Sequence, residues 1–311
     1  MYDSTKPYKG EILRLIKQTW ETPYVSVEKN IVRKKFSYQE YHHTDGIGTK
    51  GIYHWEKRSF ENAVRDALAM NLNDLAMMRA TPYALIDHLL LPEDDEDAIL
   101  EIISHLAGEC KGREIAITGG ETAIHDNMDG LELSVTMLGF VKNPKLNMFR
   151  KGNVLIGIES SGLHSNGFTK VREKFGEEYR PEFIKPTNIY IDTILSLDKQ
   201  FEIYGMMHIT GGAFTKLKDI LPKDADIVIE RHHGLRPQEV FFDLYNREVS
   251  DDEMYKTFNC GMGFVLGVEE GDAYEILKEI KEFKADVIGK VIRGNHKIKI
   301  ESMFSGKEVE Y

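Results

Sequence analysis

The sequence predicts a two-domain α/β architecture of α+β type, and three observations carry that expectation. The chain has 311 residues, more than the roughly 250–300 a single hydrophobic core supports before it splits. It is 41% hydrophobic and 29% charged, the balance of a globular chain and not of a disordered one. Apolar runs of strand length lead into glycine-bearing loops and then helical patterns in both halves. A Pro- and Lys-containing connector over residues 142–152 separates the halves. The boundary falls around residue 148, giving domains 1–147 and 148–311.

The bulk properties exclude several classes. A net charge of −11 speaks against a nucleic-acid binder, which presents a basic face. Cys110 and Cys260 stand far apart without metal-ligand spacing, which implies a reducing compartment. Residues 1–20 carry no signal-peptide core, and no window approaches the roughly 20 apolar residues that span a bilayer. A cytoplasmic protein with no membrane partner is expected.

Taken in order, Ile12, Leu13, Leu15 and Ile16 give a short amphipathic helix over 9–20. Residues 31–44 read as extended and run into Thr44-Asp45-Gly46-Ile47-Gly48-Thr49-Lys50. A helix over 60–78 follows, rich in Ala. The run 83–91 fits a buried strand. Acidic residues 93–97 then open a helix carrying Ile99, Ile102, Ile103 and Leu106, where negative charge complements the dipole. A strand over 114–118 leads to a turn at Gly119-Gly120, and 131–141 alternates as a strand. Beyond the connector, a strand over 153–158 ends in Ser160-Ser161-Gly162-Leu163-His164-Ser165-Asn166-Gly167. Helices at about 187–200 and 271–284 and strands at 226–230, 262–268 and 286–292 complete the second half.

Five polar stretches carry candidate chemistry, and ligands gather at strand ends in such folds. In the first, Asp45 offers a hard oxygen to Mg²⁺. Gly46 and Gly48 admit close backbone approach to an anion, beside Thr49. Lys50 adds a point charge. In the second, Asn73 and Asp74 interrupt an apolar helix. They lie on a solvated face, or Asp74 shares a metal with Asp45, which would offset the cost of burying a carboxylate. In the third, Gly119, Gly120 and Glu121 form either an anion-facing turn or a plain one. The fourth, with Ser161, His164, Ser165 and Asn166, supplies the neutral donors a phosphate monoester needs. The fifth is His208-Ile209-Thr210-Gly211-Gly212, where His208 can move protons and a helix opens near Phe214. His232-His233 reads as solvated. No Walker loop, G-x-G-x-x-G, H-E-x-x-H or G-x-S-x-G is present.

In this order the stretches resemble the aminoimidazole ribonucleotide synthetase (phosphoribosylformylglycinamidine cyclo-ligase) family. The likeness continues through Pro186-Thr187-Asn188-Ile189-Tyr190 and Met254-Tyr255-Lys256-Thr257-Phe258-Asn259-Cys260-Gly261-Met262-Gly263, and covers about residues 40–300. It implies a two-domain fold whose N-terminal sheets pair into a barrel across a homodimer. It also implies ATP-dependent closure of the imidazole ring of formylglycinamidine ribonucleotide. By carry-over, Asp45 and Asp74 hold Mg²⁺. Lys50, Gly46, Gly48, Thr49, Asn73, Gly119, Gly120 and Glu121 meet ATP. Ser161, His164, Ser165, Asn166, Thr210, Gly211 and Gly212 face the ribonucleotide, and Asp45, Lys50 and His208 are the catalytic candidates.

Two departures stand out. Family members usually carry a longer arm with a glycine-rich segment before the Asp45 loop that folds over the nucleotide, whereas residues 21–43 here contain no glycine. Arg79 also stands where the family has glycine. Two alternatives follow: a superfamily relative acting on another substrate, or a non-catalytic nucleotide-binding dimer. Against selenophosphate, thiamine-phosphate and hydrogenase-maturation relatives stand the Gly119–Thr122 and His164–Asn166 stretches.

Overall fold

A computed structural model describes residues 8–29 and 31–311. The chain divides into two compact units, Met1–Pro144 and Lys145–Tyr311, slightly ahead of the boundary read from the sequence. Among the described residues no helix is long and apolar enough to cross a membrane.

The first unit runs α1 (Lys9–Lys17), β1 (Val25–Glu28), β2 (Ile31–Lys34), β3 (Gln39–Gly46), α2 (Gly51–Glu56), α3 (Phe60–Met77), β4 (Thr81–Leu91), α4 (Glu96–Gly112), β5 (Ala116–Ile124) and β6 (Glu132–Val141). Strands β3, β6, β4 and β5 form one sheet in that order. Strand β6 is antiparallel to both neighbours, and β4 and β5 are parallel. Helices α3 and α4 pack against each other and against this sheet. The α4 N-terminus is capped by Asp95, whose carboxylate accepts the Ala98 N–H at 2.9 Å.

Strand β4 is not the fully buried run its composition suggests. Leu85, Asp87, Leu89 and Leu91 are buried, while Ile86 and His88 are exposed. That period of two means only one face is covered. Among the described residues the sheet stays open, and no barrel closes within this chain.

The glycine-free stretch before β3 forms the antiparallel β1–β2 pair. Val25 and Val27 pack with Tyr83, Ala84, Ala116 and Phe140, and Trp20, Tyr24 and Phe36 join them. The Trp20 indole N–H donates to the Ile117 carbonyl at 2.9 Å. Such aromatic burial anchors the segment on the sheet.

The second unit runs β7 (Val154–Glu159), α5 (Phe168–Phe175), α6 (Ile191–Gln200), β8 (Ile203–His208), β9 (Ala225–Ile229), α7 (Glu239–Asn246), α8 (Asp251–Thr257), β10 (Met262–Val268), α9 (Ala273–Glu279), β11 (Ala285–Arg293), β12 (Ile298–Glu301) and β13 (Glu308–Glu310). Its seven strands are ordered β13-β12-β9-β11-β7-β10-β8, and only β12 and β9 pair in parallel. Strand β10 is antiparallel to both β7 and β8, pairing Met262 with Glu159 and Phe264 with His208. The C-terminal ends of β7 and β8 and the start of β10 therefore share one edge.

Several elements differ from the sequence expectation. Residues 187–190 form no regular element, so the helix begins at Ile191, and the helix expected over 271–284 is limited to α9. The turn at Phe214 is a 3₁₀ segment, Ala213–Ile220. Helices α2, α5, α7 and α8 and strands β8, β12 and β13 are too short to show a period above noise.

Candidate active site

The Asp45 stretch is less of a loop than expected. Asp45 and Gly46 end β3, and Gly48–Lys50 is one 3₁₀ turn leading into α2. Gly48 has φ +54°, the left-handed value that favours glycine. Gly46 is required for another reason, since a Cβ there would lie 2.6 Å from Glu132 Oε1 and Ser134 Oγ. The Asp45 carboxylate accepts its neighbour's Gly46 N–H at 2.8 Å.

Lys50 does not present its charge to a ligand. It is fully buried, and its ammonium lies 2.7 Å from Asp66 Oδ2. The same oxygen is 2.8 Å from His54 Nε2. Burial opposes ionisation of Asp66, but Lys50 and His54 overcome it and hold the carboxyl well below its usual range. The reason is elementary: a buried ammonium needs a buried counter-charge.

Asn73 and Asp74 lie on α3, with Asn73 buried and Asp74 partly so. Asp74 Oδ2 is 3.1 Å from His43 Nε2 on β3. His43 Nδ1 lies 3.0 Å from Asn71 Oδ1. The Asp74 contact raises the His43 pKa against the opposing effect of burial, with Asp45 adding to it. Among the described residues no group of three or more His, Cys, Asp or Glu could hold a metal ion. A resident, all-protein metal cage is therefore absent there. Mg²⁺ usually keeps waters and phosphate oxygens and needs only one or two carboxylates; of the two expected from the sequence, Asp45 accepts the Gly46 N–H and Asp74 meets His43.

Gly119 and Gly120 are not in a turn. Both lie within β5, in parallel register with Ile86 and Asp87, just past an irregularity after Leu85. The space beside Gly120 is filled by the Asp87 carboxylate. Asp87 is buried, and neither oxygen has a partner other than its own backbone. Burial, with the Glu121 charge adding, pushes its pKa up to about 7. Sequence reading missed Asp87 because it was absorbed into an apolar run.

In the second unit four stretches converge on the shared sheet edge. Asn259 ties its own stretch to the first: it accepts the Ser160 hydroxyl at 2.8 Å and donates to the Gly162 carbonyl at 2.8 Å. Ser161 donates to the Pro186 carbonyl at 2.6 Å, and the Ser165 and Thr187 hydroxyls are 3.2 Å apart. Lys216 donates to the Thr210 hydroxyl at 3.0 Å, bringing a cation to the Thr210-Gly211-Gly212 turn. Gly212 has φ +80°. The Asn166 amide nitrogen is buried without a partner.

His164 and His208 lie deeper than these groups, with His164 Nε2 accepting the Ser161 backbone N–H at 3.3 Å. Both are fully buried. Their ring centroids are 6.4 Å apart, and His208 stacks on Phe264 at 6.1 Å. Tyr190 lies against both rings and donates to the Glu159 carbonyl at 2.7 Å. His233, expected to be solvated, is also buried, and burial lowers its pKa.

Comparison with known proteins identifies the family. The profile of AIR synthase related protein, N-terminal domain, matches residues 31–141, and that of its C-terminal domain matches 150–301. The phosphoribosylformylglycinamidine cyclo-ligase of Saccharolobus solfataricus is 38% identical over 247 residues, covering 77% of this chain and 73% of the relative. That of Pyrococcus horikoshii is 35% identical over 277 residues, covering 83% and 81%. Among solved structures, hydrogenase maturation protein HypE in complex with ATP superposes with a TM-score of 0.71 at 15% identity, covering 99% of this chain and 95% of that one. Thiamine-monophosphate kinase from Stenotrophomonas maltophilia gives 0.69 at 17%, covering 94% and 97%. At such identities these two structures speak for the fold alone. With both of its domains matched and its relatives this similar, the chain belongs to the phosphoribosylformylglycinamidine cyclo-ligase family.

Proposed function

We propose that this chain catalyses the ATP-dependent cyclisation of formylglycinamidine ribonucleotide to aminoimidazole ribonucleotide, with ADP and phosphate, in purine biosynthesis. The observation that carries the reading is the convergence of Ser160–Gly167, Thr187, Thr210–Gly212 and Asn259 on one sheet edge in a chain of this family. Neutral hydroxyl and amide donors beside Lys216 suit a ribonucleotide phosphate.

An amide oxygen is a poor leaving group until phosphorylated. The formyl oxygen therefore attacks the γ-phosphorus and displaces ADP, the amidine-side nitrogen closes on the activated carbon, and phosphate departs with the former formyl oxygen as the nitrogen loses a proton. The protein's part is positioning and charge stabilisation. Gly48, Thr49, Asn73 and Glu121 are assigned to the nucleotide. Asp45 and Asp74 would hold Mg²⁺, which supplies charge neutralisation at the phosphates when bound. Ser161, Ser165, Asn166, Thr210 and Gly211 are assigned to the ribonucleotide. His208, the candidate for proton transfer, is buried against Phe264 and beside His164. Lys50 is removed from the phosphate contacts and Gly119–Gly120 from the anion turns. A homodimer joined through the open sheet face, closing a barrel, accounts for the exposed Ile86, which is 46% accessible. A cytoplasmic location suits a biosynthetic enzyme with two free cysteines.

The test is an incubation with ATP, Mg²⁺ and formylglycinamidine ribonucleotide. ADP release that requires the ribonucleotide, together with appearance of the aminoimidazole product, is expected. Nucleotide binding without turnover would overturn the reading.

A further inference from the structure

We propose that a buried polar strap on α3 holds both ends of the Asp45–Lys50 segment in its working shape, which makes Asp66 and Asn71 positioning residues for the ATP half of the reaction. The proposal rests on the assignment of that segment to the nucleotide.

At one end, the Asn71 amide donates to the Asp45 carbonyl at 3.1 Å and to the Ala67 carbonyl at 2.9 Å. Its oxygen meets His43 Nδ1 at 3.0 Å. At the other end, Asp66 holds Lys50 at 2.7 Å and His54 at 2.8 Å. His54 Nδ1 in turn lies 2.7 Å from the Ser59 hydroxyl, immediately before α3. Lys50, His54, Asp66 and Asn71 are all fully buried.

An apolar set of the same volume would fold at least as well, because a buried ion pair is often neutral or destabilising relative to packed hydrophobes. Geometry is what the polar set adds. Two glycines lie between the straps, Gly46 and Gly48, and glycine leaves a backbone loose. Fixing Asp45 at its carbonyl and Lys50 at its side chain removes that freedom before ligand binds. The same helix carries Asn73 and Asp74, so one rigid element sets the spacing of both candidate carboxylates. Preorganisation of this kind is where positioning residues act on rate.

The discriminating variant is Lys50→Met/Asp66→Asn. It removes the buried charges together and keeps an acceptor for His54. We expect its Tm to return near that of the parent while the KM for Mg-ATP stays raised by about ten-fold or more, since a misplaced binding group can cost up to 10²-fold. The KM for the ribonucleotide should stay within about two-fold. Asn71→Ala, which touches only the other end, is expected to raise the ATP KM in the same way and decides the matter alone if the double variant does not fold. A parent-like ATP KM in the folded variants would overturn the strap. Asp45→Asn is the control: if it destroys ATP use while both strap variants behave like the parent, only the strap fails. If Asp45→Asn changes nothing, the segment is not the nucleotide site and the proposal falls with that reading.

Discussion

Gly120 and Asp87 face each other across the parallel β4–β5 pairing, and the Asp87 carboxylate occupies the space a Gly120 side chain would need. A methyl group there cannot be placed without moving the carboxylate or the strand. Gly120→Ala is expected to destabilise the first unit by about 2 kcal/mol, the range of overpacking in a filled core. Shortening the opposing side chain should relieve it. In a denaturation cycle with Asp87→Ala, the double variant should be more stable than the sum of the two singles predicts. Simple additivity would mean that the two positions do not compete for space.

Asp87 also sets a pH dependence. Its pKa is pushed from 3.8 up to about 7, chiefly by burial and then by Glu121. A carboxyl whose folded pKa exceeds its unfolded one favours folding below the unfolded pKa, and that contribution is lost as pH rises through the folded value. The loss runs from about pH 4 to about pH 7 and amounts to the order of 4 kcal/mol. Asp87→Asn cannot ionise. The stability difference, variant minus parent, should therefore rise across that window and level off above it. Urea titrations at pH 5, 6, 7 and 8 would read it, and a pH-independent difference would show that Asp87 is not held neutral by burial.

Gly263 supports the second cluster. A Cβ there would strike the Tyr190 hydroxyl and lie 2.7 Å from His164 Cε1, beneath the Ser160–Gly167 stretch. Gly263→Ala should raise the KM for the ribonucleotide by about ten-fold, with the ATP KM unchanged. Removing the hydroxyl by Tyr190→Phe in the same chain should recover part of the loss. Steady-state kinetics with each substrate varied in turn would separate these outcomes.

Ile86 stands on the open face of the first sheet, 46% exposed. If that face joins two copies, Ile86→Glu places charge in a desolvated interface, and sedimentation should show dissociation to monomers at micromolar concentration. A parent-like dimer would place the association elsewhere.

Much of the architecture was legible in the chain, and the limits have physical causes. Helices α3 and α4 declared themselves by period and composition, because each spans four or more turns. Short elements such as β8 and α8 did not, because a few residues cannot display a period. The glycines were legible as special but not in their reasons. Gly48 needs a left-handed φ, while Gly46 and Gly120 need the room taken by Ser134 and Asp87, side chains distant in sequence.

The Asp45–Lys50 segment shows the same division. Residue order and type determined that this chain belongs with ring-closing ligases, and that a carboxylate, two glycines and an ammonium would lie together. Only the tertiary structure decided that the ammonium turns inward. Lys50 ends a strand-to-helix turn that packs on α3, and there Asp66 is the counter-charge that makes its burial tolerable. A linear sequence states which charges exist. Which of them meet water, and which meet each other, is set by packing between residues far apart in the chain.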